Sequence, residues 1–152
     1  MKTLRFAAAA ALSLALIAPM AAPIAAHAQE LPIKEAELVE VGMIKVDDGH
    51  FGDYATFLGD QWRKNQEYAL KQGWISGYEI LSNENPRVGE PDFYLLVRFP
   101  SVPDAAERKR RDDAYMSYMQ TSMQKQEAGS AERAKYRKVI GSMLLRHWVW
   151  SK

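Results

Sequence analysis

"LVEVGMIKVDDGHF", residues 38–51, decides how this chain folds. Its first nine residues are rich in β-branched side chains and lack helical spacing, which predicts a largely buried strand over 38–46. "DDGH" (47–50) is turn chemistry, and its aspartates can cap a following helix. From Phe51 onward the period changes. Phe51, Tyr54, Leu58, Trp62, Asn65 and Ala69 recur at spacings of three and four, so an amphipathic helix is expected over 51–72, with Gly73 as the residue that ends it.

Outward from that junction, "WISGYEIL" (74–81) and "FYLLVRF" (93–99) read as two strands. The turn-rich "SNENPRVGEPD" between them makes an antiparallel hairpin with a long loop. "PSVPD" opens a second helix with Pro103 near its first turn. That helix is expected to break at Gly129–Ser130. A short basic helix, "AERAKYRKV", then leads through Gly141 into a last strand, "MLLRHWVW" (143–150).

Upstream, Lys2 and Arg5 precede an apolar, alanine-rich run that ends in "AHA", with Ala26 and Ala28 as small residues at a cleavage site. This is the form of a secretory signal peptide over 1–28. Pro19 and Pro23 interrupt the run and argue against a retained membrane anchor. Residues 29–37 read as a polar linker and 38–152 as a single domain. The chain is expected in the periplasm or secreted, with no stable membrane anchor after cleavage.

The whole sequence has 20 Lys and Arg against 19 Asp and Glu, and no cysteine. A balanced charge gives no basic face for nucleic acid. The lack of cysteine removes disulfides, thiol catalysis, thiolate metal sites and an N-terminal lipid.

The order β, α, β, β, α, short α, β is α+β. It is the ferredoxin-like βαββαβ arrangement, a four-stranded antiparallel sheet with helices on one face and an extra short helix before the last strand. Both alternating sets along the strands are apolar: Val39, Val41 and Met43 against Leu38 and Ile44, and Phe93, Leu95 and Val97 against Tyr94 and Leu96. The helix-free face therefore needs a cover, and no element is left to supply one. A second copy of the chain is the economical answer.

The turn "V-DDGH-F" into the first helix and "W…KQGWISGYEIL" after it resemble the dimeric α/β-barrel superfamily, including its antibiotic-biosynthesis-monooxygenase-like members. The resemblance spans nearly the whole chain after the leader. It implies a homodimer in which two sheets enclose a barrel. Some such proteins hold haem through a histidine, so haem is the lesser alternative to no cofactor. Those that degrade haem share an Asn, Trp and His set that has no matching positions here. The superfamily contains enzymes and binding proteins alike.

His50 and His147 show no metal-type spacing, so no metal site is expected. "GWISG" lacks the G-x-S-x-G order of a nucleophile elbow. There is no glycine-rich nucleotide loop. The clusters "ERKRRDD" and "AKYRK" read as solvated faces or an anionic-surface contact, and Met116, Met119 and Met123 as core and dimer filler rather than a ligand-binding stripe.

What remains is polar residues inside apolar strands. Alternation places Glu79 and Arg98 on one face of the hairpin. They could hold an anionic or enolic ligand, with Tyr78, Tyr94, Trp74 and Trp62 as aromatic walls, or simply pair with each other. In the last strand Arg146 falls with Leu144, Trp148 and Trp150, and His147 with Met143, Leu145 and Val149. The aliphatic set suits a helix-covered face, which makes Arg146 the better candidate for the enclosed side and His147 a core residue.

Two functions follow. The first is an exported homodimer that binds a small hydrophobic or aromatic molecule or an envelope partner. The alternative is a cofactor-free oxidoreductase, monooxygenase- or isomerase-like, acting on a small aromatic or enolisable substrate. In it, His147 or Glu79 would serve as base, with Arg98 or Arg146 holding the anion.

Overall fold

The computed structural model describes residues 31–152. The expected signal peptide lies outside them. The elements are β1 (Ile33–Val46), α1 (Phe51–Phe57), a π-helical turn (Leu58–Trp62), α2 (Arg63–Lys71), β2 (Gly77–Ser82), β3 (Phe93–Phe99), α3 (Ala105–Tyr118), α4 (Met123–Arg133) and β4 (Arg137–Trp150). α1, the π turn and α2 run on as one helix, so three helices accompany one sheet. The sheet has the order β2-β3-β1-β4 with every neighbouring pair antiparallel. This α+β architecture is consistent with a ferredoxin-like fold.

The long first helix forms because its apolar side chains make one stripe and the sheet gives that stripe somewhere to go. Tyr54 and Leu58 are buried against Ile44, Val46 and Phe93, with Phe57, Trp62, Leu95 and Tyr136 packed around them. A π turn inserts an extra residue per turn. Here it carries the stripe onward to Trp62, whose ring meets Tyr78 edge-on at 5.5 Å.

The helix ends at Gly73, as its sequence predicts. Gly73 has φ +71°, the left-handed region that glycine enters without penalty. Its N–H donates to Leu70 O and the Trp74 N–H to Ala69 O, both at 3.0 Å, which is a Schellman motif. The Trp74 ring folds back edge-on to Tyr68 at 5.3 Å. Tyr68 also stacks on Tyr118, 4.1 Å between ring centres, and so ties α2 to α3.

Several expectations change. β1 starts at Ile33, so the stretch 33–37 read as linker is strand. β2 starts only at Gly77, because Trp74 is consumed by the helix cap. α3 opens from "PSVPD" as expected, with Pro103 just before the N-cap Asp104, whose carboxylate accepts from the Glu107 N–H at 2.8 Å. The helix break falls at Met119–Ser122, not at Gly129–Ser130. Gln120 takes φ +49° there, and Ser122 caps α4, which runs straight through Gly129. With that shift, the expected short basic helix dissolves into the end of α4 and the start of β4, which begins at Arg137 instead of Met143.

Cross-strand register fixes which side chains share a face. Ile44 opposite Phe93 and Gly42 opposite Leu95 define the helix-bearing side. The opposite, open side collects Val39, Val41 and Met43 from β1, Tyr94, Leu96 and Arg98 from β3, Glu79 and Leu81 from β2, and Met143 and Leu145 from β4. Val41 is only 4% exposed there, between Leu96 and Met143, whereas Leu81 and Leu145 stand 49% and 45% exposed.

Candidate functional site

The polar centre of the open face is Arg98. Near the end of β3 it lies opposite Val39 on one side and Gly77 on the other. The guanidinium passes directly beside Gly77, where a Cβ would stand 3.8 Å from Arg98 Nη1, an ordinary packing contact. Arg98 Nη2 donates to Glu79, and Arg98 Nε lies 4.0 Å from a carboxylate oxygen of Glu37. Ser76, in the turn before β2, donates its hydroxyl to the other oxygen of Glu37.

One guanidinium is therefore held by two carboxylates, and one of those is held by a hydroxyl. Such a network fixes each side chain and supplies the partners that charges on an apolar face require. It also occupies Glu79 and Arg98, one of the two candidate bases and one of the two candidate cations of the enzyme reading.

The sequence brings Glu79 and Arg98 together correctly. It misses Glu37, which lies before the strand it predicts over 38–46, and Ser76, which strict alternation within the predicted strand 74–81 would place on the other face from Glu79. A signal was available: Glu37 is two residues before Val39, and alternation extended backwards places it on the same face.

The other expected site residues divide between the two sides. Tyr94 shares the open face with Arg98 and Glu79, lying opposite Leu81. Tyr78 points to the helix-bearing side, where it meets Trp62, so neither walls the Glu79–Arg98 pair. Trp74 sits against Tyr68, with the Arg111 guanidinium 5.6 Å from its ring.

Arg146 and His147 exchange their expected places. Leu38 lies opposite Arg146 and Val39 opposite Leu145, so Arg146 belongs to the helix-bearing side and His147 to the open side. Arg146 Nη1 donates to Ala36 O at 3.0 Å, and its Nε lies 3.5 Å from Glu35. His147 is exposed rather than a core residue. The composition argument fails because β4 is an edge strand that the helices do not cover. Leu144, on their side, is 56% exposed.

A cleft of about 670 Å³ opens where β1, β2 and β3 meet the turn before α1, lined in part by Lys45, Asp47, Phe51, Ile80 and Asp92. Among the described residues no three His, Asp or Glu side chains are placed to hold a metal ion, and no helix is long and apolar enough to cross a membrane.

The two charge clusters behave differently. In α3, Glu107 binds Arg110 and Arg111, and Lys109 binds Asp113, all within the helix. These hydrogen bonds from Arg110 and Arg111 pull the Glu107 carboxyl down to about 2. In the second cluster Lys135 and Lys138 are exposed, but Arg137 is half-buried, as is Arg133 just before the cluster, so this stretch is not a uniformly solvated face.

No protein-family model matches the chain, and no curated protein matches it.

Proposed function

We propose that the chain is an exported, ferredoxin-like protein that pairs through its open sheet face as a homodimeric α/β barrel. In this reading it binds a small hydrophobic or aromatic molecule, or an envelope partner, rather than converting a substrate. The observation that carries the reading is the composition of that face. Val39, Val41, Met43, Leu96, Leu81, Met143 and Leu145 lie on the side away from the helices. A contiguous apolar surface of that kind marks an interface. A second copy is the natural cover, since a two-fold axis lets one patch complement itself.

The Glu37–Arg98–Glu79 network favours binding over catalysis. Its charges are satisfied within one subunit and can be enclosed without a stray ion. The basic, apolar, small-residue order of the first 28 residues supports export.

The test is native mass spectrometry of protein purified from the cell envelope. The expected species is a dimer whose chains begin at Gln29, with any tightly held ligand visible as added mass. A strictly monomeric mass at micromolar concentration overturns the barrel reading, and a chain still carrying residues 1–28 overturns export by cleavage.

A further inference from the structure

Where α4 gives way to β4, two arginines stand without counter-ions. Arg133 is the last residue of α4 and Arg137 the first of β4. The Arg133 guanidinium lies over the Phe57 ring, 4.2 Å from its centre. Gly129, one turn earlier, makes room for it, since a Cβ there would approach Arg133 Nη1 to 3.2 Å. Arg137 lies opposite Val46, on the helix-bearing side.

Among the described residues neither guanidinium has a carboxylate within ion-pair distance, although Glu132, next to Arg133, engages Lys135 at 2.6 Å. The Nε atoms of both arginines are buried with no acceptor, and so is Asn65 Oδ1 with no donor. Burial, and then the neighbouring charge of Arg137, pushes the Arg133 pKa down. Half-buried like charges whose Nε atoms lack acceptors are costly, and native folds rarely keep such groups without a use.

Arg133 also lines a cavity of about 360 Å³ between α4 and the first helix, walled by Phe57, Met123 and Tyr115, with Asn65 and Gln126 among its polar groups. That volume lies in the range of small-ligand sites. The π turn borders it through Gln61, and such turns recur at functional sites.

We propose that this cavity binds a compact monocarboxylate with a flat apolar body, its carboxylate on Arg133 and its body against Phe57 and Met123. A guanidinium presents a planar fork that matches a carboxylate, and the cation–π contact with Phe57 helps hold that fork in place before the ligand arrives. The charge of Arg137 behind it deepens the positive potential, which a bound anion relieves. The cavity has one lining cation and an exposed acid, Glu127, which selects a single negative charge over a phosphate dianion. The site is in the helical layer and does not depend on how the open face is covered.

The experiment is thermal unfolding of the whole mature chain with sodium benzoate, its neutral analogue benzamide, or inorganic phosphate, all at matched ionic strength. Benzoate at ten times its dissociation constant raises the midpoint by about 5 °C, and benzamide and phosphate do not. The variant Arg133→Gln loses the benzoate shift. In wild-type protein, benzoate moves the side-chain amide NMR signals of Gln61, Asn65 and Gln126, a readout that needs no variant to fold. Equal shifts with benzamide or phosphate, an unchanged response in R133Q, or still amide signals would each overturn the assignment.

Discussion

Asp92 holds the end of β1 with both oxygens of one carboxylate. Oδ1 accepts from Lys45 Nζ at 2.6 Å and Oδ2 from the Val46 N–H at 2.7 Å, while the Asp92 N–H donates to Ile44 O at 2.8 Å. The loop between β2 and β3 is thereby tied to the strand that delivers the chain into its first helix. Asp92→Ala leaves the Val46 N–H without its acceptor and Lys45 without its counter-charge, and should cost about 1–3 kcal/mol. Asp92→Asn keeps an acceptor for Val46 and should lose less. Urea unfolding of both variants checks this, and equal losses would mean that the backbone contact contributes nothing.

Glu107 makes α3 sensitive to acid. Its folded pKa is depressed to about 2 by Arg110 and Arg111, so its contribution is present above the ordinary carboxylate range and is lost as pH falls through that folded value. The carboxyl carbon of Glu107 should titrate near pH 2 by NMR. Glu107→Gln should flatten the dependence of stability on pH between about 5 and 2. A midpoint in the usual glutamate range would sink the idea that the two arginines hold this group in the folded chain.

How much of this was legible beforehand depends on whether local chemistry or the surroundings decide each feature. β3 was readable to the residue, because a run broken only by Arg98 among apolar and aromatic residues is bounded by Asp92 and Pro100. Gly73 was readable because a left-handed cap leaves few alternatives to glycine. The start of β1 was hidden: Lys34, Glu35 and Glu37 look like loop, yet Lys34 and Glu35 pair with β4 in a two-stranded extension beyond β3. The break between α3 and α4 was misplaced because Gln120, not a glycine, takes the positive φ, while Gly129 stays helical to leave room for Arg133. Arg137 looked like part of a solvated cluster because its isolation, like that of Arg133 just before it, depends on tertiary packing, which no spacing encodes.

Arg98 is the counter-charge for two acids, so its removal should be harsher than that of either partner. Arg98→Met leaves Glu37 and Glu79 facing an apolar surface without a cation. Losing one partner of a partly buried network costs about 1–3 kcal/mol, and more where a charge is left behind. Guanidinium unfolding measures the loss. The double variant with Glu79→Gln should recover part of it, and failure to recover any would show that Glu79 and Arg98 are not energetically coupled.

Leu144 and Leu145 are adjacent in β4 and point to opposite sides of the sheet, which separates the open face from the edge of the strand as the seat of the proposed dimer. Both are exposed in the single subunit, 56% and 45%, so an aspartate at either position should change the stability of the subunit itself by only about 0.5 kcal/mol. Across a dimer formed by the open faces, Leu145→Asp would bury an unpaired carboxylate, a penalty of several kcal/mol that weakens association by at least about a hundredfold. Leu144→Asp, on the helix-bearing side, should leave the dimer intact. Sedimentation velocity on wild type and both variants distinguishes the cases. Dissociation by L144D but not L145D would place the contact on the other side of β4, and dissociation by both would assign it to the strand edge.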